Sequence, residues 1–214
     1  MLPENAIALD ARLSAIRDLA GSCARFADIG ADHGRLGAHM LLHGLCERAQ
    51  LADISEASLA KARRLIYGLG LTGRVDFCVG DGAQALREPP DVAVIAGMGG
   101  QTIAGIVERG RDMLKNARLV LQPNVAAPEL RARLQAARFR ITNEVIARDG
   151  RRLYVIIAAE AGEMRLTPEE TAERDLLRQQ YIAAVRRNLT AQLENTYIVT
   201  PDGKKHKLQR KDNK

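Results

Sequence analysis

The feature that most constrains the fold is a regular alternation of short apolar runs with helical segments. Apolar strands without strict polar alternation predict a parallel sheet covered on both faces. The predicted strands are Arg25–Gly30, Glu47–Asp53, Arg74–Val79, Asp91–Ala96 and Ala117–Leu121. The helical patterns cover Ala8–Ala20, residues 33–44, a segment that begins at Ser55, and residues 100–115. The sequence therefore predicts an α/β, Rossmann-like domain with a mostly parallel sheet.

The pattern changes after the fifth strand. Two further strand-like runs, Phe139–Ala147 and Arg152–Glu160, flank the turn sequence at residues 148–151, which contains Asp149-Gly150. Asp-Gly between strand-like runs is a strong hairpin signal. We therefore expect the sheet to finish with an antiparallel hairpin, which is atypical of domains that bind NAD.

A composition change after Gly162 predicts two domains, residues 1–162 and residues 163–214. Thr167-Pro168-Glu169-Glu170 is typical of a helix start, and the helix is predicted to reach about Asn195. This helix could pack on the first domain or pair with a second copy, so monomer and dimer both stay open. Residues 203–214 carry +5 of the chain's net charge of +6. Such a tail either contacts nucleic acid or is a solvated end.

Several classes of protein are disfavoured by what the sequence contains. The three cysteines are scattered, without the spacing of zinc ligands or of a disulfide framework, so we expect no metal. The N-terminus does not resemble a signal peptide, and no apolar stretch reaches the ~18 residues of a membrane helix. The sequence thus predicts a soluble cytoplasmic protein without a membrane partner.

Acidic and glycine residues follow the first strand, where open α/β sheets bind ligands. Asp28, Gly30, Asp32 and His33 lie in the sequence DIGADHG, which lacks the G-x-G-x-x-G spacing of a pyrophosphate loop. Two carboxylates repel a diphosphate but suit a cationic ligand. Asp32 could equally cap the next helix, and a histidine beside a helix start is more often structural than catalytic.

The second and third strands also end in acids. Asp53, followed by Ile54, can accept the ribose hydroxyls of an adenosine, or it can begin a turn into Ser55. Asp81, followed by Gly82, can accept from an adenine amino group, or it can belong to a plain turn. Acids at three successive strand ends are more specific than any one of them.

The fourth and fifth strands end in groups suited to an acceptor. Gly97, Met98 and Gly99 offer backbone carbonyls and amides, and Gly97 and Met98 are also expected beside the ligand of the first three strand ends. Gln122, Pro123 and Asn124 bring two amide side chains to the same edge, and amides can pair with the edge of a base. The alternative for these three residues is a proline turn.

In this order, DIGADHGRL, LADISEASLAKARR, GDG, IAGMGGQTIAGIV and LVLQPN resemble the bacterial tRNA (adenine-22-N1)-methyltransferase family of class I methyltransferases. The likeness covers about residues 9–160. It implies a Rossmann-like catalytic domain, S-adenosyl-L-methionine as methyl donor and N1 of a tRNA adenine as acceptor. It also implies a C-terminal helical extension that helps to bind tRNA. In this sequence the extension is short.

For this chemistry, Asp32 is our candidate to stabilise the cationic product or to take a proton from N6. Arg186, Arg187 and the lysine-rich tail are the predicted phosphate contacts. Three alternatives stay open on the sequence alone. They are a methyltransferase for another RNA or a small molecule, a non-catalytic module that binds tRNA or a nucleotide, and an NAD-dependent oxidoreductase.

Overall fold

The computed structural model describes residues 7–163, together with residues 176, 179, 183, 190, 197–199 and 205–207. The chain divides into two compact units, residues 1–164 and residues 165–214. Within the described residues, every helix is too short or too polar to cross a lipid bilayer.

Seven strands of the first unit form one sheet in the order β3-β2-β1-β4-β5-β7-β6. Their bounds are β1 Cys23–Ile29, β2 Cys46–Asp53, β3 Val75–Val79, β4 Val92–Gly99, β5 Arg118–Val125, β6 Phe139–Asp149 and β7 Arg152–Ala161. Strands β1 to β5 pair in parallel, whereas β7 pairs antiparallel with β5 and with β6. The predicted parallel sheet with a terminal hairpin is therefore confirmed.

Among the described residues of this unit there are six α-helices, of which the first precedes β1. Their bounds are α1 Ala11–Ala20, α2 Arg35–Leu42, α3 Glu56–Gly68, α4 Gly100–Arg109, α5 Arg111–Leu114 and α6 Ala127–Ala136. Asp10 caps α1 by accepting from the Leu13 amide at 2.7 Å, so this helix begins later than Ala8. Ser55 caps α3 by accepting from the Ser58 amide at 3.3 Å, which confirms the predicted start.

Two helices differ from the prediction. The helix predicted over residues 100–115 is divided at Gly110, where an added side chain would collide with Ala83. Helix α6 was not predicted, although Pro128 in its first turn is a helix-start signal. Its N-cap, Ala126, takes a left-handed conformation that a non-glycine residue rarely adopts.

The sheet is covered on both faces, as its apolar strands require. One core cluster contains Ile16, Phe26 and Leu51, and the second contains Ile95, Ile103 and Phe139. The parallel strands alternate between the two clusters, since Phe26 belongs to the first and its neighbour Ala27 to the second. Helix α1 and the hairpin share the first cluster, through Ile16 of α1 and Ile156 of β7.

In the second unit, the described residues 176, 179, 183 and 190 are helical. Strands β8 Tyr197–Val199 and β9 Lys205–Lys207 pair antiparallel. Most of the helix predicted from Thr167 to Asn195 lies outside the described residues, as do Arg186, Arg187 and most of the basic tail.

Candidate active site

The five parallel strands bring their carboxyl ends to one edge of the sheet. These ends are Ile29, Asp53, Val79, Gly99 and Val125. Because parallel strands share a direction, loops distant in sequence meet at this edge. All the cofactor and acceptor residues predicted within the first unit lie in or directly after these strand ends.

A cavity of about 270 Å³ opens beside the end of β1. Its lining includes Asp28, Gly30, Asp32 and His33, which were predicted, and Arg12 of α1, which was not. Gly30 has φ +84°, a conformation that favours glycine, and a Cβ there would collide with the Met98 methyl group. The end of β4 therefore meets the loop after β1 directly.

Asp28 is the most unusual carboxylate in this cavity. It is only 8% exposed, and this burial raises its pKa from 3.8 to about 7. The positive charge of Arg12 opposes the rise, and the negative charge of Asp53 adds to it. A buried carboxylate of this kind favours a cationic ligand, which would stabilise its ionised form.

Asp32 lies in a small charged cluster at the cavity mouth. One oxygen is 2.6 Å from His33 Nδ1, and the other accepts from Lys61 Nζ at 3.2 Å. Desolvation disfavours the carboxylate, but the hydrogen bond from Lys61 and the charge of His33 outweigh it and hold the pKa of Asp32 below its ordinary value. Asp32 is therefore an ionised, half-exposed carboxylate at neutral pH.

Asp53 and Ile54 follow β2 and offer one polar and one apolar group. Asp53 Oδ1 accepts from the Ser55 amide at 2.8 Å, so the turn considered as an alternative is present. Within the described residues, no hydrogen bond engages the second carboxylate oxygen. Ile54 is 75% exposed, and Val79 at the end of β3 is 51% exposed. Two exposed apolar side chains at adjacent strand ends suit the faces of an adenine ring.

Asp81 follows β3 and forms an exposed ion pair with Arg109 of α4, with nitrogen–oxygen distances of 3.1 and 3.2 Å. Exposed pairs of this kind contribute little to stability, so the carboxylate can exchange Arg109 for another donor. Gly82 follows with φ +60° and packs against Ile106.

A second cavity, of about 520 Å³, lies between the end of β4, the end of β5 and the start of β7. It is lined by Arg12, Gly97, Asn124, Arg152, Leu153 and Tyr154. Arg12 lines both cavities, so they adjoin at this residue. The guanidinium carbon also lies 5.7 Å from the centre of the Tyr154 ring, within the range of a cation–π contact.

A chain of hydrogen bonds orders the wall of this second cavity. Gln122 Oε1 accepts from Arg12 Nη1 at 2.9 Å and from the Gly97 amide at 3.2 Å. Gln122 Nε2 then donates to Asn124 Oδ1 at 3.1 Å, and Asn124 Nδ2 donates to the Gly97 carbonyl at 2.8 Å. Because a guanidinium and a backbone amide can only donate, they fix which way both side-chain amides point.

Two of the predicted acceptor residues, Gly97 and Asn124, line the second cavity. Gln122 and Pro123 are buried in β5, and Gly99 is the last residue of β4. Gln122 holds Arg12, Gly97 and Asn124 together, where the sequence predicted a direct contact with the acceptor. Four lining residues were not predicted from the sequence: Arg12, Arg152, Leu153 and Tyr154. Arg12 lies on a helix that is recognised by its apolar face, and the other three follow the turn of the hairpin.

The comparisons with known proteins follow the same division of the chain. The methyltransferase domain family matches residues 9–157. The tRNA (adenine(22)-N(1))-methyltransferase of Bacillus subtilis (strain 168) is 34% identical over 161 residues, which cover 74% of this chain and 68% of that protein. A bacterial family of unknown function (DUF896) matches residues 157–207.

Solved structures agree with this assignment. The crystal structure of the B. subtilis m1A22 tRNA methyltransferase has a TM-score of 0.70 at 33% identity, covering 73% of this chain and 68% of that one. A Streptococcus pneumoniae protein assigned as a tRNA (m1A22) methyltransferase, solved with S-adenosyl-L-methionine, has a TM-score of 0.71 at 28% identity, covering 88% and 89%.

The sheet order and the carboxylates at its edge define a class I methyltransferase. Within that class, the chain belongs to the tRNA (adenine(22)-N(1))-methyltransferase family.

Proposed function

We propose that this chain transfers a methyl group from S-adenosyl-L-methionine to N1 of adenine 22 in tRNA. The observation that carries the proposal is the pair of adjoining cavities at the carboxyl edge, one lined by carboxylates and the other by an ordered amide network. The named activity of the B. subtilis relative supports the same reaction. Because tRNA is the substrate, we place the reaction in the cytoplasm.

The residues at the edge fit this cofactor. Asp28, buried and ionised only with difficulty, gains most from a cationic amino acid group. Asp53 has a carboxylate oxygen for the ribose, and Ile54 lies beside it as an apolar surface for the adenine. Asp81 would give up its ion pair with Arg109 and accept a hydrogen bond from the adenine amino group. When bound, S-adenosyl-L-methionine supplies a methyl group that is electrophilic because it is attached to a sulfonium sulfur.

The second cavity would hold the target base. The Gly97 carbonyl and Asn124 Oδ1 each keep a lone pair that can accept from the adenine N6 amino group. Adenine N1 has a free lone pair at neutral pH, so the protein needs mainly to orient the base. An internal adenine of a folded RNA has to be extruded to reach such a cavity, and Tyr154 is placed to contact its ring.

The division of labour along the chain follows from these assignments. Residues 1–162 form the catalytic domain, and residues 163–214 form an extension that contacts tRNA. Arg186, Arg187 and the lysines of the tail would bind phosphates, because RNA binding draws most of its affinity from such charge pairs.

The proposal is tested by methyl transfer from labelled S-adenosyl-L-methionine to unmodified tRNA, followed by nucleoside analysis. We expect 1-methyladenosine, and we expect it to vanish when adenine 22 is replaced by guanine. Transfer to other positions would contradict the assigned nucleotide. If the cofactor binds by calorimetry but no tRNA is methylated, the substrate is a different molecule.

Asp32 is our candidate catalytic residue, as a carboxylate that stabilises the positive charge developing on the base. Because Asp32 is half-exposed and its charge is screened, we expect Asp32→Asn to lower kcat only about tenfold. Cofactor affinity, measured by calorimetry, should stay within about threefold. Wild-type kcat in this variant would exclude the role. A large loss of cofactor affinity with wild-type kcat would leave Asp32 with its predicted role in cofactor binding only.

A further inference from the structure

The tip of the β6–β7 hairpin, residues 148–153, extends beyond the part of the hairpin that is joined to the rest of the sheet. Strand β7 pairs with β5 only through Ile157–Ala159, whereas its pairing with β6 continues to Asp149 and Arg152. Because β7 runs antiparallel to β5, its first residues lie towards the carboxyl edge. The hairpin tip therefore stands at the same edge as both cavities.

The hairpin tip is strongly basic. It contains Arg148, Arg151 and Arg152 against one acid, Asp149, and all four side chains are exposed. Within the described part of the chain, none of these three arginines forms an ion pair. Arg148 Nε donates to the Gly150 carbonyl at 3.1 Å, which ties it across the turn. Exposed cations without an acidic partner favour a polyanion.

The basic tip also carries exposed apolar surface next to the second cavity. Arg152, Leu153 and Tyr154 all line that cavity. Leu153 is 67% exposed, and Ile146 on the paired strand is 68% exposed. Guanidinium groups beside apolar side chains suit a nucleic acid strand, which presents phosphates and base faces together.

We propose that the hairpin tip binds the RNA backbone on either side of the adenine that enters the second cavity. Arg151 and Arg152 bind the flanking phosphates, and Leu153 packs against a neighbouring base. This inference rests on the proposed function, because it assumes that the cavity takes a nucleotide of an RNA. It adds a phosphate-binding surface on the catalytic domain to the one predicted in the C-terminal extension.

The test compares two variants of the full chain that each lose two positive charges. One is Arg151→Ser with Arg152→Ser. The matched control is Arg64→Ser with Lys115→Ser, two exposed residues on α3 and before β5. Binding of unmodified tRNA is measured by fluorescence anisotropy over a range of salt concentrations, and kcat and KM are measured separately.

We expect the hairpin variant to reduce the slope of log affinity against log salt by about 1.4–1.8, because each of the two lost phosphate contacts removes roughly 0.7–0.9. Its tRNA affinity at physiological salt should fall roughly 10- to 20-fold. The loss should appear in the KM for tRNA, and cofactor affinity should stay unchanged. The control should keep the wild-type slope.

Equal slopes for the hairpin variant, the control and the wild type would overturn the inference, and methylation of tRNA would still stand. A lower kcat at saturating tRNA, with the slope unchanged, would also overturn it, since these residues would then act in catalysis. If the wild type methylates no tRNA, the proposed function fails. The dependence of tRNA affinity on salt concentration still tests the hairpin tip, because it is measured without methyl transfer.

Discussion

Asp28→Asn is expected to stabilise the ligand-free protein at pH 8 and to weaken S-adenosyl-L-methionine binding about 100-fold. The buried carboxylate is costly to ionise, so an amide of the same shape removes that cost. The same substitution removes the charge that pairs with a cationic ligand, and charge-assisted hydrogen bonds contribute about 1.5–3 kcal/mol. Thermal unfolding without ligand and calorimetry with the cofactor measure the two effects.

The pH dependence of stability has a definite sign. The pKa of Asp28 is about 7 in the folded protein and near its ordinary value of 3.8 when unfolded. Between these values the folded state holds a proton that the unfolded state has lost, so stability falls as pH rises. At about 1.4 kcal/mol per pKa unit, the full cost above pH 7 is at most about 4 kcal/mol. The Asp28→Asn variant should lack this decline.

Cofactor affinity should have the opposite pH dependence. Below pH 7 Asp28 is protonated and must lose that proton to pair with a cation, so affinity should rise up to about pH 7 and then level off. Calorimetry at pH 6 in two buffers of different ionisation enthalpy should detect proton release. Asp18→Asn, an exposed residue on α1, is the matched control. Equal affinity of wild type and Asp28→Asn across this range would contradict the assignment.

Much of the site could be predicted because strand ends carry local signals. Gly30 and Gly97 follow apolar runs and have the positive φ that glycine tolerates. Asp53 ends its strand, and the predicted hairpin turn is present at Gly150 and Arg151, between the paired residues Asp149 and Arg152. In a parallel sheet, the carboxyl end of every strand lies at the edge where ligands bind. Short motifs at the strand ends were therefore enough to predict which residues meet at this edge.

The second cavity could not be predicted in the same way, because its order comes from distant contacts. Arg12 and Gln122 are 110 positions apart, and their hydrogen bond decides how Asn124 points. Nothing near Gln122 in the sequence indicates that its amide is buried and hydrogen-bonded through both its oxygen and its nitrogen. The position of Arg12 could not be predicted, because a single arginine on an amphipathic helix is ordinarily a solvated side chain. Hydrogen bonds between residues so far apart in the sequence are revealed only by the three-dimensional structure.

Asn124→Asp is expected to lower kcat about 100-fold while the Kd of S-adenosyl-L-methionine stays within about twofold. The new carboxylate can still accept from Gln122 Nε2. Its second oxygen, however, faces the Gly97 carbonyl, to which Asn124 now donates at 2.8 Å, and two acceptors at that distance repel. This repulsion would displace the two acceptors proposed for the adenine N6 amino group, and a misplacement of a bound base by about 1 Å can cost about 10² in kcat. Asn124 does not line the cofactor cavity, which explains the unchanged Kd.

Asn116→Asp is the matched control, because Asn116 is exposed and precedes β5 at the opposite edge of the sheet. Both variants gain one negative charge, so a loss shared by the two would come from general repulsion of tRNA and would appear in KM. Single-turnover rates at saturating tRNA separate this effect from chemistry. If Asn124→Asp keeps the wild-type rate, the amide network does not position the base. A loss confined to Asn124→Asp would tie the order of the cavity wall to methyl transfer.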